Sequence, residues 1–158
     1  MESRLNYGKI SPGVMDAMRH LAKYVDSSGL EESLLDLIDC RASQLNGCAY
    51  CLDMHTKDAR ELGETEQRLY MLPAWRESPF YTERERAALS WTEAVTLVSD
   101  SHVPDEVYQE VRKQFSEKEI VDLTLAIVAI NGWNRLNVSF RTIAGSYRPR
   151  SKVEKIPA

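Results

Sequence analysis

The sequence predicts an all-α protein, and three observations predict it. Apolar residues recur at helical spacing in one segment after another. Helix-starting signals stand ahead of those segments: Ser11-Pro12, Thr82 with Glu85 three residues on, and Ser116 with Glu119. No run alternates apolar and polar residues as a half-buried strand would. The Asn46-Gly47 pair separates two helical patterns and is flanked by poor strand formers.

Taken in order, Ser11 is the expected N-cap of a first helix with Pro12 at its first position, and Val14, Met18, Leu21 and Val25 share one face until Ser28-Gly29. Leu34, Ile38, Ala42 and Leu45 mark a second helix that stops near Asn46-Gly47. A third runs from about Cys48 to Gly63, with Asn46 as its expected N-cap. Residues 72–81, carrying Pro73 and Pro79, read as a linker. Thr82 and Glu85 open a long helix to about Ser99, Pro104 opens a short one, and Ser116 with Glu119 starts the last, from about Glu117 to Ile143. Leu34, Ile38, Leu89, Val95, Leu123 and Ile127 are the expected core. The run from Ala126 through Ile130 leaves few polar positions, which predicts burial on nearly all sides and a subunit interface to supply it.

The chain has 158 residues, with 20 Lys and Arg against 24 Asp and Glu, a net charge of −4. That size fits one domain, expected over residues 1–145, followed by a basic tail, residues 146–158, with Arg148, Arg150, Lys152 and Lys155. The tail reads as solvated or as an oligomer clasp. No basic stripe interleaved with aromatics suggests nucleic acid. The N-terminus shows no apolar signal region, and Asp122, Asn131, Asn134, Arg135 and Asn137 interrupt the most apolar stretch, so no membrane span is expected. Three cysteines are too few for a secreted disulfide framework, which predicts a cytoplasmic protein with redox-active or metal-binding thiols.

The chemistry concentrates at Cys48, Cys51 and His55, spaced i, i+3 and i+7 and so on one helix face. A helix N-terminus favours an anion by ~0.3–1 kcal/mol. Since one pKa unit corresponds to about 1.36 kcal/mol, the dipole alone lowers a thiol by well under one unit. A positioned base must supply the rest, and His55 is the histidine near enough in sequence. Three readings compete: a redox dithiol, a zinc site, or two small buried residues beside an incidental histidine. A structural zinc site lacks a fourth ligand here, because His20 and His102 stand alone. The histidine on the cysteine face favours the redox dithiol. Cys40 reads as a buried structural residue, and Trp75, Trp91 and Trp133 as core or interface fillers. Asn134 and Arg135 are placed either at the active site or across a subunit contact.

The stretch Arg41-Ala42-Ser43-Gln44-Leu45-Asn46-Gly47-Cys48-Ala49-Tyr50-Cys51-Leu52-Asp53-Met54-His55-Thr56-Lys57 resembles the signature of the AhpD-like (alkylhydroperoxidase D-like) branch of the carboxymuconolactone decarboxylase family. Arg76-Glu77-Ser78-Pro79-Phe80, Thr82-Glu83-Arg84-Glu85-Arg86-Ala87 and Asn131-Gly132-Trp133-Asn134-Arg135-Leu136-Asn137 resemble that branch too. The resemblance implies an AhpD-like helical bundle, trimers or hexamers, and a thiol-dependent alkyl hydroperoxide reductase with no metal or other cofactor. It implies that Cys51 attacks the hydroperoxide, Cys48 resolves, and His55 belongs to the proton relay. A thioredoxin-like protein or a lipoyl adaptor would then reduce the pair. Two positions depart from the pattern. Asp36 stands where better-studied members carry a glutamate, one methylene longer, so it either reaches His55 or Cys51 through a water or lies outside the relay. Tyr50 stands where some members carry a histidine, and a phenol passes a proton well but is a poor resting base. Glu93 is the second acid to test for the relay. The decarboxylase branch lacks this cysteine pair. The competing functions are a disulfide oxidoreductase that never meets peroxide and a thiol-based sensor or metal-binding protein.

Overall fold

Capping chemistry explains where the principal helices begin. In the computed structural model, which describes residues 2–149, Thr82 and Ser116 each accept from the backbone three residues on, while Glu85 and Glu119 reach back to the cap. The helices are α1 (Tyr7–Ile10), α2 (Pro12–Asp26), α3 (Glu32–Leu45), α4 (Ala49–Glu61), α5 (Glu66–Met71), α6 (Glu83–Thr96), α7 (Val98–Ser101), α8 (Asp105–Gln114) and α9 (Glu117–Phe140), with a 3₁₀ turn at Leu72–Ala74. No strand occurs among the described residues, so the all-α expectation holds. None of these helices is long and apolar enough to cross a membrane.

α3 is the central element, packed by α4, α6 and α9. Leu34 and Ile38 face a core shared with Ala88, Trp91, Val111, Leu123 and Ile127. Leu37 and Cys40 face a second cluster with Leu72, Trp75, Tyr81 and Leu89. At the far end of α3, Ala42 joins Cys48, Cys51 and Ile130 in a third cluster. Five of the six expected core residues are buried, and Val95 is half-buried against the first cluster. α2 approaches α9 closely at Gly132, where a Cβ would lie 2.9 Å from the Met18 methyl.

Several local expectations need correction. Ser11 makes no side-chain cap bond. The helix expected to reach about Ser99 ends at Thr96, and the last helix ends at Phe140, where Arg141 turns left-handed with φ 54°. Residues 72–81 are not a loose linker, because Trp75 and Tyr81 anchor them in the second cluster. α5, unforeseen in the sequence, starts at Thr65, whose hydroxyl accepts from Arg68 N. The outer face of α9 leaves Val121 and Val128 exposed, so a single chain does not bury that helix on all sides. The junction and the start of the tail lie on α4: Gly145 N donates to Asp53 (3.0 Å) and Tyr147 to Asp58 (2.8 Å). Arg150, Lys152 and Lys155 lie outside the described residues.

Candidate active site

The turn between α3 and α4 determines which group faces the sulfurs. Asn46 ends α3 rather than opening α4, and Gly47 follows with φ +63°, a conformation that suits glycine. The N-cap of α4 is therefore Cys48, two residues later than the sequence suggested. Its sulfur takes the place a serine hydroxyl would take and accepts from Cys51 N at 3.4 Å. Asn46 is free to turn inward, and its Nδ2 donates to Ala42 O, Asn131 Oδ1 and Asn134 Oδ1.

The Cys48 and Cys51 sulfurs lie 2.6 Å apart, and both residues are buried. The hydrogen bond from the Cys51 thiol brings Cys48 down to about 7 against the pull of burial, and the Cys51 backbone amide adds to this. Cys51 moves up, because its proton is held by Cys48 and because it is buried. Of the two thiols, Cys48 is thus the one eased toward ionisation and Cys51 the one held back.

α9 delivers the other polar groups. Asn131, Asn134 and Asn137 stand one turn apart, all buried, in the C-terminal half of α9. Asn137 Nδ2 donates to Cys51 Sγ at 3.4 Å, and Asn137 Oδ1 accepts from the Tyr7 hydroxyl at 3.1 Å. Asn134 Nδ2 donates to Ser43 Oγ at 3.0 Å, and its amide also favours the ionised form of both thiols. Asn131 binds Thr96 and receives Arg135. Burial first, then the neighbouring Tyr50 and the two cysteines, keeps the Tyr7 phenol above its usual range, so it stays a neutral donor.

His55 lies on the cysteine face of α4 but does not hydrogen-bond to either sulfur. Its Nδ1 is 3.4 Å from Asp39 Oδ2, and its buried Nε2 has no hydrogen-bond partner among the described residues. Burial lowers its pKa to about 4. Asp39 moves the opposite way, well above the carboxylate range, through burial and then the charges of Asp36 and Asp26. The two line a cavity of about 250 Å³ walled by Val25, Leu35, Met54, Ala126, Ile130 and Trp133.

The other expected residues are placed as follows. The carboxylate beside His55 is Asp39, one helical turn beyond the Asp36 that the sequence offered, because the α3 face turned to His55 carries residue 39. Tyr50 packs half-buried against the cysteine cluster, while the phenol in the sulfur network is Tyr7. Glu93 is held away from proton transfer. Burial pushes its carboxyl up, but hydrogen bonds from Trp75 and Arg76 and the Arg41 charge outweigh that and hold it low. Cys40 is buried with its thiol pushed up, whereas His20 and His102 are exposed. Among the described residues, no group of three or more His, Cys, Asp or Glu side chains could hold a metal ion. Sequence reasoning missed Tyr7, Asn46 and Asn137 as neighbours of the sulfurs. The available signal was three asparagines at every third position in the last helix, since buried amides demand partners.

Residues 12–94 match the Carboxymuconolactone decarboxylase family. The uncharacterized protein YdfG of Bacillus subtilis (strain 168) is 46% identical over 92% of this chain and 99% of its own length. A crystal structure from Agrobacterium tumefaciens, of a protein of unknown function named for AhpD antioxidant defence, superposes with a TM-score of 0.90 at 47% identity. That match covers 92% of this chain and all of the other. The debrominase Bmp8 shares the fold, with a TM-score of 0.78 at 24% identity over 87% of this chain and 74% of its own.

Proposed function

This chain belongs to the carboxymuconolactone decarboxylase family, in its AhpD-like branch, and we propose that it is a thiol-dependent peroxidase that reduces organic hydroperoxides with the Cys48–Cys51 dithiol. The observation that carries this reading is the sulfur pair, 2.6 Å apart at a helix N-terminus.

In this reading the pair shares one proton at rest, held by Cys51, and Cys48, the thiol eased toward ionisation, accepts it as the reaction starts. Cys51 attacks the terminal peroxide oxygen, the O–O bond breaks, and the departing alkoxide takes the proton from Cys48. The products are an alcohol and a Cys51 sulfenic acid. The restored Cys48 thiolate then attacks the Cys51 sulfur, forming a disulfide and expelling hydroxide, which takes a proton from a buffer acid in the solvent and leaves as water. Two thiols are oxidised as one peroxide is reduced. An external dithiol, on a thioredoxin-like protein or a lipoyl adaptor, returns the pair to its starting state by exchange. Burial disfavours charge on both His55 and Asp39, and His55 makes no hydrogen bond to a sulfur, so in this scheme Cys48 rather than His55 is the immediate base. Such a cycle suits the reducing cytoplasm. The exposed Val98, Val121 and Val128 offer apolar cover for a trimer or hexamer.

The test is peroxide consumption with a panel of dithiol reductants, run beside Cys51→Ser. One equivalent of cumene hydroperoxide should remove two free thiols per chain, at Cys48 and Cys51, and leave Cys40 titratable. Survival of all three thiols in excess peroxide sinks the proposal.

A further inference from the structure

An asparagine side chain presents a donor at one end and an acceptor at the other, so near a sulfur anion its orientation decides whether it helps or hinders. At both amides next to the cysteines a second group settles that orientation. The Tyr7 hydroxyl donates to Asn137 Oδ1, and Asn46 Nδ2 donates to Asn134 Oδ1. With each carbonyl occupied, the NH₂ ends face the other way. Asn137 Nδ2 reaches Cys51 Sγ, and Asn134 Nδ2 reaches Ser43 Oγ with a second hydrogen to spare. No Lys, Arg or His donates to either sulfur among the described residues. The titratable groups facing the pair are Tyr7 from α1 and Tyr50 from α4.

We propose that Asn134 and Asn137 form an amide cradle that lets the negative charge pass from Cys48 to Cys51, with Tyr7 and Asn46 fixing the end of each amide that faces the sulfurs. Asn134 and Asn137 are catalytic residues in this scheme, because they lie against the reacting sulfurs. Tyr7 and Asn46 are positioning residues. The Cys51 backbone amide at the α4 N-terminus serves Cys48, and the Asn134 and Asn137 amides compensate when charge moves to Cys51. The role of the N-terminal segment follows. Arg4 N donates to Phe140 O, and the Tyr7 ring packs on Phe140 with centroids 5.6 Å apart, so the segment is tied to the end of α9 with the phenol aimed at Asn137.

The inference rests on the dithiol reading of the site but not on peroxide as the substrate, and its test uses none. The reduced full-length protein is alkylated with iodoacetamide across a pH series, and mass spectrometry locates the label on Cys48 or Cys51. Tyr7→Phe keeps the ring stacked on Phe140 and removes only the hydroxyl. It should lower the ratio of Cys51 to Cys48 labelling by about three- to tenfold, the range expected for one neutral hydrogen bond. Asn137→Asp keeps the shape but sets a carboxylate against the sulfur, and should suppress Cys51 labelling by more than ~10-fold. Thermal melts confirm that each variant is folded. A Tyr7→Phe protein that melts as a folded chain and labels both cysteines in the wild-type ratio at every pH overturns the cradle, whatever the fate of the peroxidase reading.

Discussion

Two buried polar regions meet behind Ile130 and Trp133, and they treat charge in opposite ways. On the dithiol side, Cys48 is buried and still ionises at about 7. On the His55 side, burial pushes the imidazole down to about 4 and the Asp39 carboxyl up, so both groups are driven toward their neutral forms. Depth alone therefore does not decide ionisation. The dithiol side supplies donors, from the start of α4 and from α9, whereas the His55 cavity is walled largely by alkyl and aromatic carbon. A protein can ease one buried group toward ionisation a few residues from two others that it holds back, provided it distributes its N–H groups unequally.

The largest effect should come from removing the group that holds Cys51 high. In Cys48→Ser the shared proton has no second sulfur, so Cys51 should ionise at a far lower pH than the second ionisation of the intact pair. Turnover should nevertheless vanish, since nothing resolves the sulfenic acid. Dimedone labelling after a single equivalent of peroxide should find Cys51 and no disulfide. Alkylation that begins no earlier on Cys51 in this variant than in the wild type would break the claim that the pair shares its charge.

The His55 side makes a prediction about stability. Its folded pKa of about 4 lies below the unfolded value of 6.5, so the folded chain binds fewer protons. The stability is fully present above pH 6.5 and is lost as pH falls through 6.5 toward 4. The gap corresponds to roughly 3 kcal/mol at most. Urea unfolding of the wild type against His55→Asn, at pH 7 and again at pH 4, should show the difference between them changing by about that amount in favour of the variant. Parallel curves would mean that the cavity tolerates an imidazolium.

Much of this architecture was legible in the sequence, and the failures share a cause. The two capping boxes at Thr82 and Ser116 were readable because a cap is local chemistry, three residues long. Cys48 and Cys51 were readable as a pair from their spacing. The N-cap of α4 differs by two residues from the expected Asn46 because Asn46 and Cys48 can both cap, and only the contacts of Asn46 with α9 decide between them. The partner of His55 was misjudged for a related reason. Asp36 and Asp39 lie one turn apart on α3, and the packing of α3 on α4 selects Asp39. Tyr7 is 130 residues from Asn137, and no local pattern could join them.

The smallest effect is expected at Asp39, and it tests the comparison from the acid side. A carboxyl raised in the folded state binds its proton more readily there than in the unfolded chain. The stability from Asp39 is therefore present below the ordinary carboxylate pKa and is lost as pH rises through the folded value. That slope is opposite to the one expected for His55. Asp39→Asn removes the titration and keeps the shape, so it should match the wild type in acid and melt at a higher temperature near neutral pH. Its thiols should alkylate along the wild-type pH profile, because no hydrogen bond joins this pair to a sulfur. Melting curves between pH 5 and 8, with iodoacetamide labelling of the same samples, measure both quantities. If the variant tracked the wild type across the whole range, Asp39 would be ionising at its ordinary value. The His55 cavity would then accept charge as readily as the dithiol side does, and the contrast between the two regions would fail at its weaker end.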